Sequence, residues 1–323
     1  MIVDIPDTTT SKVSKKLAEL REDGGVVALT RVLTLVILAS KGNAEPAIAA
    51  ANLASREHPC RIIVLASGSS SEETRLDAQI RVGGDAGASE VLILNAGGEL
   101  AEQSEAMISA LLLPDAPIVA WWADEVPQDV SATPIGRIAH RRITDSAMAP
   151  TPVATLERLA RSYGDGDTDL AWTRLTGWRI QLASILDSMD PKTVTGVTVE
   201  TPPELPSAVL LAGWLQMSLD VLVRLQRSAT DNGLSSVRLH LSDDSRGGDE
   251  IVLSRPRATS HPCICLTARC SRCPCRTGPW RTAWPKSFAA WTPTRSSARC
   301  SPAVWPPSTS RSAAPRPEAV PET

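Results

Sequence analysis

Four apolar runs of strand length, rich in β-branched residues, constrain this chain more than any other feature. RVLTLVILAS (Arg31–Ser40), CRIIVLAS (Cys60–Ser67), EVLILNA (Glu90–Ala96) and PIVAWWA (Pro117–Ala123) lack the polar alternation of a strand with one wet face. Each must therefore be covered on both sides, as the strands of a parallel sheet are. EPAIAAANLASREH (Glu45–His58), with Pro46 in its first turn, and ELAEQSEAMISALLL (Glu99–Leu113) read as helices between them. A further helix opens at the capping cluster Thr8–Ser11 and runs to Gly24–Gly25. RLDAQIRV (Arg75–Val82) alternates and is expected at a sheet edge. Strands alternating with helices over 25–125 predict an α/β domain across 1–165, with a mixed, mostly parallel sheet and flanking helices.

The pattern changes after residue 146. TPVATLERLARSY (Thr151–Tyr163) reads as a helix and GDGDT (Gly164–Thr168) as a linker. Asp167–Asp169 then cap a long helix whose Leu175, Trp178, Leu182, Ile185 and Met189 step by three and four to form one buried stripe. A strand VTGVTVET (Val194–Thr201), a helix around AVLLAGWLQMSL and strands SSVRLHLS and EIVLSR complete a smaller α+β domain over 166–256.

Composition breaks sharply beyond that point. Of the 323 residues, 257–323 hold six of the seven Cys, four of the nine Trp and eleven of the 25 Pro. The same stretch has ten basic residues against Glu318 and Glu322, which leaves 23 basic and 34 acidic residues in the body, a balance of −11. A zinc site at Cys263, Cys265, Cys270, Cys273 and Cys275 would need a second C-x2-C knuckle, which does not follow Cys270 and Cys273. A disordered basic arm leaves the four Trp unexplained. The third reading is a shifted reading frame. Regrouping GC-rich codons for Pro274 through Arg295 permits LPDRPLADCLAEELRRLDPDE, an acidic stretch with helical apolar periodicity. On this reading 257–323 is a frameshifted, disordered tail, the second domain is incomplete, and function lies in 1–256.

No G-x-x-x-x-G-K-[ST] loop, no G-x-G-x-x-G after a strand and no G-x-S-x-G elbow occurs. GGDAG (Gly83–Gly87) reads as a tight turn. His58, His140 and His240 have no partners at metal-ligand spacing, and Cys60 is the one thiol of the body. The charge balance excludes a simple nucleic-acid reader, no apolar run is long enough to span a membrane, and the N-terminus lacks a secretory pattern. The expectation is a cytoplasmic protein with no cofactor, no metal and no catalytic residues.

Three phrases stand out as contact candidates. Trp121 and Trp122 adjoin at a strand end, so they point to opposite faces, and one can meet a partner. Arg137, Arg141 and Arg142 make a positive patch on an acidic body, suited to a phosphate or a partner's carboxylates, or else to internal pairs with Asp145 or Asp124. Trp172, Arg174 and Arg179 sit on the helix that joins the domains and suit either an interface or interdomain packing.

MIVDIPDTTTSKVSKKL, HPCRIIV, LDAQIRVGGDAGASEV, LLLPDAPIVAWW, RRITDS and DTDLAWTRLTGWR together resemble the actinobacterial glucose-6-phosphate dehydrogenase assembly protein (OpcA) family, in order from Met1 to about Arg255. That family closes with an acidic amphipathic helix, which the regrouped tail also resembles. The resemblance implies a non-catalytic partner of glucose-6-phosphate dehydrogenase, acting at the entry to the oxidative pentose phosphate pathway as an assembly factor or activator. It supplies no catalytic residues. The alternative from the residues is an enzyme or sensor that holds a sugar phosphate through Arg137, Arg141 and Arg142; self-association is left open.

Overall fold

A computed structural model of the chain describes residues 1–23, 31–69, 71–83, 90–102, 104–228, 233–242 and 250–255, and the backbone of 263–266. Met1–Cys273 form one compact unit. Of the tail 257–323, expected to be frameshifted, only the backbone of 263–266 is described; the rest, with Cys270, Cys273 and Cys275, lies outside the described residues, as does most of GGDAG.

The first element is a short strand β1 (Ile2–Ile5), followed by α1 (Thr10–Asp23), β2 (Leu33–Ser40), α2 (Ala44–Ala54), β3 (Cys60–Ser67), β4 (Leu76–Arg81) and β5 (Glu90–Ala96). A 3-10 turn and α3 (Ser104–Ser109) lead to β6 (Ile118–Trp122), α4 (Pro134–Ile138), β7 (Arg141–Thr144), α5 (Pro152–Arg161) and β8 (Asp167–Asp169). These strands form one eight-stranded sheet in the order β1-β4-β5-β3-β2-β6-β7-β8. The six strands from β5 to β8 in that order run parallel, and β4 and β1 add antiparallel. The expected mixed, mostly parallel sheet is the observed one.

Both faces of the central strands are buried, as their apolar runs require. Val36, Ile63, Leu65, Leu92 and Leu94 pack with Val13 and Leu17 of α1, Ile108 of α3 and Ile135 of α4. Ile37, Ile62, Val64, Val91 and Ile93 face the other way, onto Ala44, Ala47, Ile48 and Ala51 of α2. The alanines let α2 approach the sheet closely.

Four expectations need correction. β4 is not the edge; β1 pairs along its outer side, Val3 opposite Ile80. The helix expected over Glu99–Leu113 is reduced to a 3-10 turn and the six residues of α3. The linker Gly164–Thr168 runs into β8, which pairs with β7. The long helix after Asp169 is broken into α6 (Leu170–Thr173) and α7 (Thr176–Asp187), where two threonines and Gly177 lower helix propensity.

The stripe of α7 is buried as expected: Leu175, Trp178, Leu182 and Ile185 are all under 7 % exposed, and Met189 is partly buried beside them. They pack with α8 (Pro206–Leu219) on one face of a second, five-stranded sheet. Its order is β10-β9-β11-β12-β13, from β9 (Val194–Thr201), β10 (Val223–Arg227), β11 (Ser236–Leu241), β12 (Glu250–Ser254) and β13 (Cys263–Leu266). The sequence reading missed β10 because VRLQR lies exposed at an edge and lacks an apolar run. β13 falls in the segment expected to be disordered, yet its backbone pairs antiparallel with β12.

One buried charge cluster fixes α1 against the sheet. Glu90, on β5, is 2 % exposed. It accepts two hydrogen bonds of 2.6 Å from Arg21, one of 2.7 Å from Arg31 and one of 3.0 Å from Arg61. Arg61 also donates to the Leu111 carbonyl at 2.6 Å. Burial pushes the Glu90 carboxyl up, but the hydrogen bonds from Arg21 and the charges of Arg61, Arg21 and Arg31 outweigh it and hold the carboxyl below its usual value.

Candidate functional site

The tryptophan pair and the arginine pair occupy neighbouring parallel strands in register: Val119 lies beside Arg141, Ala120 beside Arg142 and Trp121 beside Ile143. Side chains alternate along a strand, so each pair is divided between the two faces. Trp122 and Arg142 point inward; Trp121 and Arg141 share the other face.

The inward pair is consumed by the fold. Trp122 is 5 % exposed, in the core beneath α1, α3 and α4. Arg142 is 9 % exposed. Its Nε pairs with Asp167, its Nη1 donates to the Gly136 and Ala139 carbonyls at the end of α4, and its Nη2 donates to the Asp165 carbonyl. Trp122 and Arg142 therefore present no surface to a partner. Burial of one face of β6 and β7 is what removes them.

The outward pair lies on a thinner cover. α2 packs over β2 and β3, and Leu33, Leu35, Val119, Trp121, Ala123 and Ile143 remain half-buried. Trp121 Nε1 is enclosed without a hydrogen-bond partner among the described residues. Arg141 is exposed and donates through Nη1 to Thr168 Oγ1 at 3.0 Å.

The three arginines expected to hold a phosphate do not converge. Arg137 donates to the Ala132 carbonyl at 2.8 Å and reaches Glu105 at 4.0 Å. Arg141 turns to Thr168, and Arg142 is internal. Asp145 pairs with Arg174 instead, by two hydrogen bonds of 2.7 and 2.5 Å. Asp124 accepts from the Ser40 N–H at 2.8 Å.

Asp169, which ends β8 and caps α6, joins the two halves of the unit. Its carboxylate accepts from Ala171 N–H, Ser146 N–H and the hydroxyls of Thr144 and Ser146, all between 2.9 and 3.0 Å. Trp172 follows, and the Arg179 guanidinium lies 4.0 Å from its ring centroid. Arg141, Arg142 and Trp172 line one cavity of about 530 Å³ beside α5, β8 and α8. Sequence reasoning did not bring these residues together, because the contact depends on how α5 and α8 flank the edge strand.

A second cavity, of about 430 Å³, opens over the carboxyl ends of β2, β3 and β6, between Ser40, Ser67, Gly68, Trp122, Asp124 and Glu125. Strand order reverses between β2 and β6, the position where open α/β sheets take ligands. Asp124 and Glu125 line it, and two of the protein's own carboxylates take N–H groups at its edge. Asp124 takes the Ser40 N–H at 2.8 Å, and Glu72 takes the Ser69 N–H at 3.3 Å and the Lys41 ammonium at 2.9 Å. The Lys41 hydrogen bond, with that of Ser69, holds the Glu72 carboxyl below its usual value. Among the described residues no group of three His, Cys, Asp or Glu could hold a metal ion, and no helix is long and apolar enough to cross a membrane.

Two family models match the chain. Residues 51–161 match the glucose-6-phosphate dehydrogenase subunit N-terminal domain (OpcA). Residues 165–298 match the corresponding C-terminal domain, a match that runs past residue 256 into the compositionally distinct segment. No curated protein matches. Among solved structures, the chain is similar to KijD10, a 3-ketoreductase from Actinomadura kijaniata, at 9 % identity and a TM-score of 0.36, over 73 % of this chain and 84 % of that one. It is also similar to a probable oxidoreductase, yhhX, at 10 % identity and a TM-score of 0.33, over 73 % and 84 %.

Proposed function

Because the chain belongs to the OpcA family of glucose-6-phosphate dehydrogenase subunits, we propose that it binds glucose-6-phosphate dehydrogenase and promotes its assembly or activity without catalysing a reaction itself. It does so in the cytoplasm and supports the oxidative pentose phosphate pathway. The observation that carries this reading is the outward face of β2, β6 and β7. It combines half-buried Leu33, Leu35, Trp121 and Ile143 with the exposed guanidinium of Arg141. Half-buried apolar residues next to an aromatic and an arginine are the usual make-up of a protein interface. Arg137, on α4 over the opposite face, and Trp172, Arg174 and Arg179 are carried as separate contact candidates outside this face. A non-catalytic role is also favoured by the crevice, where Asp124 already takes the Ser40 N–H at the end of β2 and Glu72 takes the Ser69 N–H just past β3.

The test is a titration of this chain into its organism's glucose-6-phosphate dehydrogenase, with activity and gel-filtration elution followed together. Co-elution with raised activity is expected, and Trp121→Glu and Arg141→Glu are each expected to weaken it at least tenfold. If both variants co-elute like the parent, the interface lies elsewhere. If neither the chain as written nor one with the frame restored after residue 256 co-elutes, the assembly reading falls.

A further inference from the structure

The cavity beside α5, β8 and α8 has an unusual balance of polar groups. Its walls include Leu156, Leu159 and Tyr163 on the α5 side and Trp172 and Leu210 opposite. Arg142, Thr144, Asp167 and Asp169 also reach it, but each is committed elsewhere. Arg142 is spread over Asp167 and three carbonyls. Asp167 also accepts from the Gly164 N–H at 2.8 Å, and Thr144 donates to Asp169 at 2.9 Å. Asp169 accepts four hydrogen bonds. A carboxylate or guanidinium saturated in this way offers an incoming molecule little.

Arg141 differs. A guanidinium has five N–H donors, and Arg141 uses one, toward Thr168. Arg141 and Thr168, from the other face of the sheet edge, also line the cavity, so among the described residues its apolar walls meet a single unsaturated cation. Its volume of about 530 Å³ lies within the range of small-molecule sites, which pair apolar walls with a few polar groups.

We infer that this cavity is a binding site for a small amphipathic monoanion, an aliphatic or aromatic body carrying one carboxylate or sulfonate, with Arg141 holding the head group. A dianionic phosphate is disfavoured, because the carboxylates of Asp167 and Asp169 also line the cavity and no second free cation lines it among the described residues. A neutral apolar molecule would leave Arg141 unused. The inference does not depend on the dehydrogenase reading; it concerns a ligand that the isolated chain would bind.

The test uses 8-anilinonaphthalene-1-sulfonate, an aromatic body with one sulfonate, on the full chain, with N-phenyl-1-naphthylamine as its neutral counterpart. One saturable site is expected, competed by decanoate and not by decanol. Arg141→Gln removes the cation from an exposed position and is expected to weaken the sulfonate by roughly tenfold or more, leaving the neutral dye unchanged. Ala160→Phe places a ring in the same cavity and is expected to abolish both, with circular dichroism confirming its fold; if that variant does not fold, Arg141→Gln decides alone. Sulfonate binding unchanged by Arg141→Gln, a signal that does not saturate, or equal competition by decanol would overturn the inference.

Discussion

Replacing Glu90 with alanine isolates the electrostatic joint between α1 and the first sheet. Three arginines converge on that carboxylate, with side-chain exposures of 36 % for Arg21, 15 % for Arg31 and 7 % for Arg61. Once Glu90 is gone, Arg21 can recover water, and Arg31 can do so in part. Arg61 cannot; it keeps only the Leu111 carbonyl. The loss is therefore mainly that of one buried, uncompensated cation, which costs about 3–5 kcal/mol. At roughly 2–4 °C per kcal/mol for a unit of this size, the melting midpoint should fall by about 6–20 °C. Urea denaturation followed by circular dichroism at pH 7 measures the same loss as a shift in midpoint. The double change Glu90→Leu with Arg61→Met removes both buried charges and should recover most of it, because a buried ion pair and a packed apolar pair are close in net worth. A single-variant cost under about 1 kcal/mol, or a double variant worse than the single, would refute the reasoning. The pH dependence has a definite sign. The folded-state pKa of Glu90 is lowered, so its stabilisation is fully present above the unfolded value of about 4.3. It is lost as pH falls from there through the lowered folded value. Glu90→Gln should thus show a shallower loss of stability in acid than the parent.

Asp169→Ala removes a helix cap and leaves the Ser146 N–H and two hydroxyls without their acceptor; a loss of about 2–4 kcal/mol in urea is expected, and one below about 1 would show that water replaces the carboxylate. Gly136→Ala would bring a methyl within 1.7 Å of the Val130 carbonyl oxygen, so α4 must shift, at about 3 kcal/mol or more by thermal melting. On the frameshift reading of 257–323, a chain rewritten in the alternative frame after residue 256 gains an amphipathic helix and is expected to melt several degrees above the chain as written. An equal or lower midpoint would count against the shifted frame.

The first sheet was legible because its central strands are apolar on both faces, a pattern that few arrangements besides parallel burial satisfy. The stripe from Leu175 to Met189 was legible for a similar reason, since one periodicity survives the break between α6 and α7. The edges were not. β10 and β8 are held by pairing to a neighbour, and neither DTD nor VRLQR carries a pattern of its own. The split of Trp121 from Trp122 follows from strand alternation alone, but which of the two is buried depends on where α1, α3 and α4 pack. For Arg142 the sequence offered a partner-facing patch or an internal pair with Asp145 or Asp124; its actual partners, Asp165, Asp167 and the end of α4, were hidden because they are set by the return of the chain through α5. The Glu90 cluster was missed altogether, since Arg21, Arg31 and Arg61 lie in three separate segments and nothing local ties them to a carboxylate.

At the crevice the chain's own carboxylates take N–H groups of the kind that bind ligands in other open α/β sheets. In open α/β sheets the strand-end N–H groups at the reversal of strand order point to where an anionic group is bound. A carboxylate from the protein meets the same hydrogen-bonding demand at no cost in association entropy. Asp124 on the Ser40 N–H, and Glu72 on Ser69 with Lys41 neutralising it, do this here. An incoming phosphate would approach the charges of Asp124 and Glu125, which line the cavity. The same two residues tie the ends of β2, β3 and β6 together, so a position that accepts a ligand elsewhere becomes a rigid brace. The register of β6 with β7 places Trp121 beside Ile143 and Arg141 beside Val119 on the outward face.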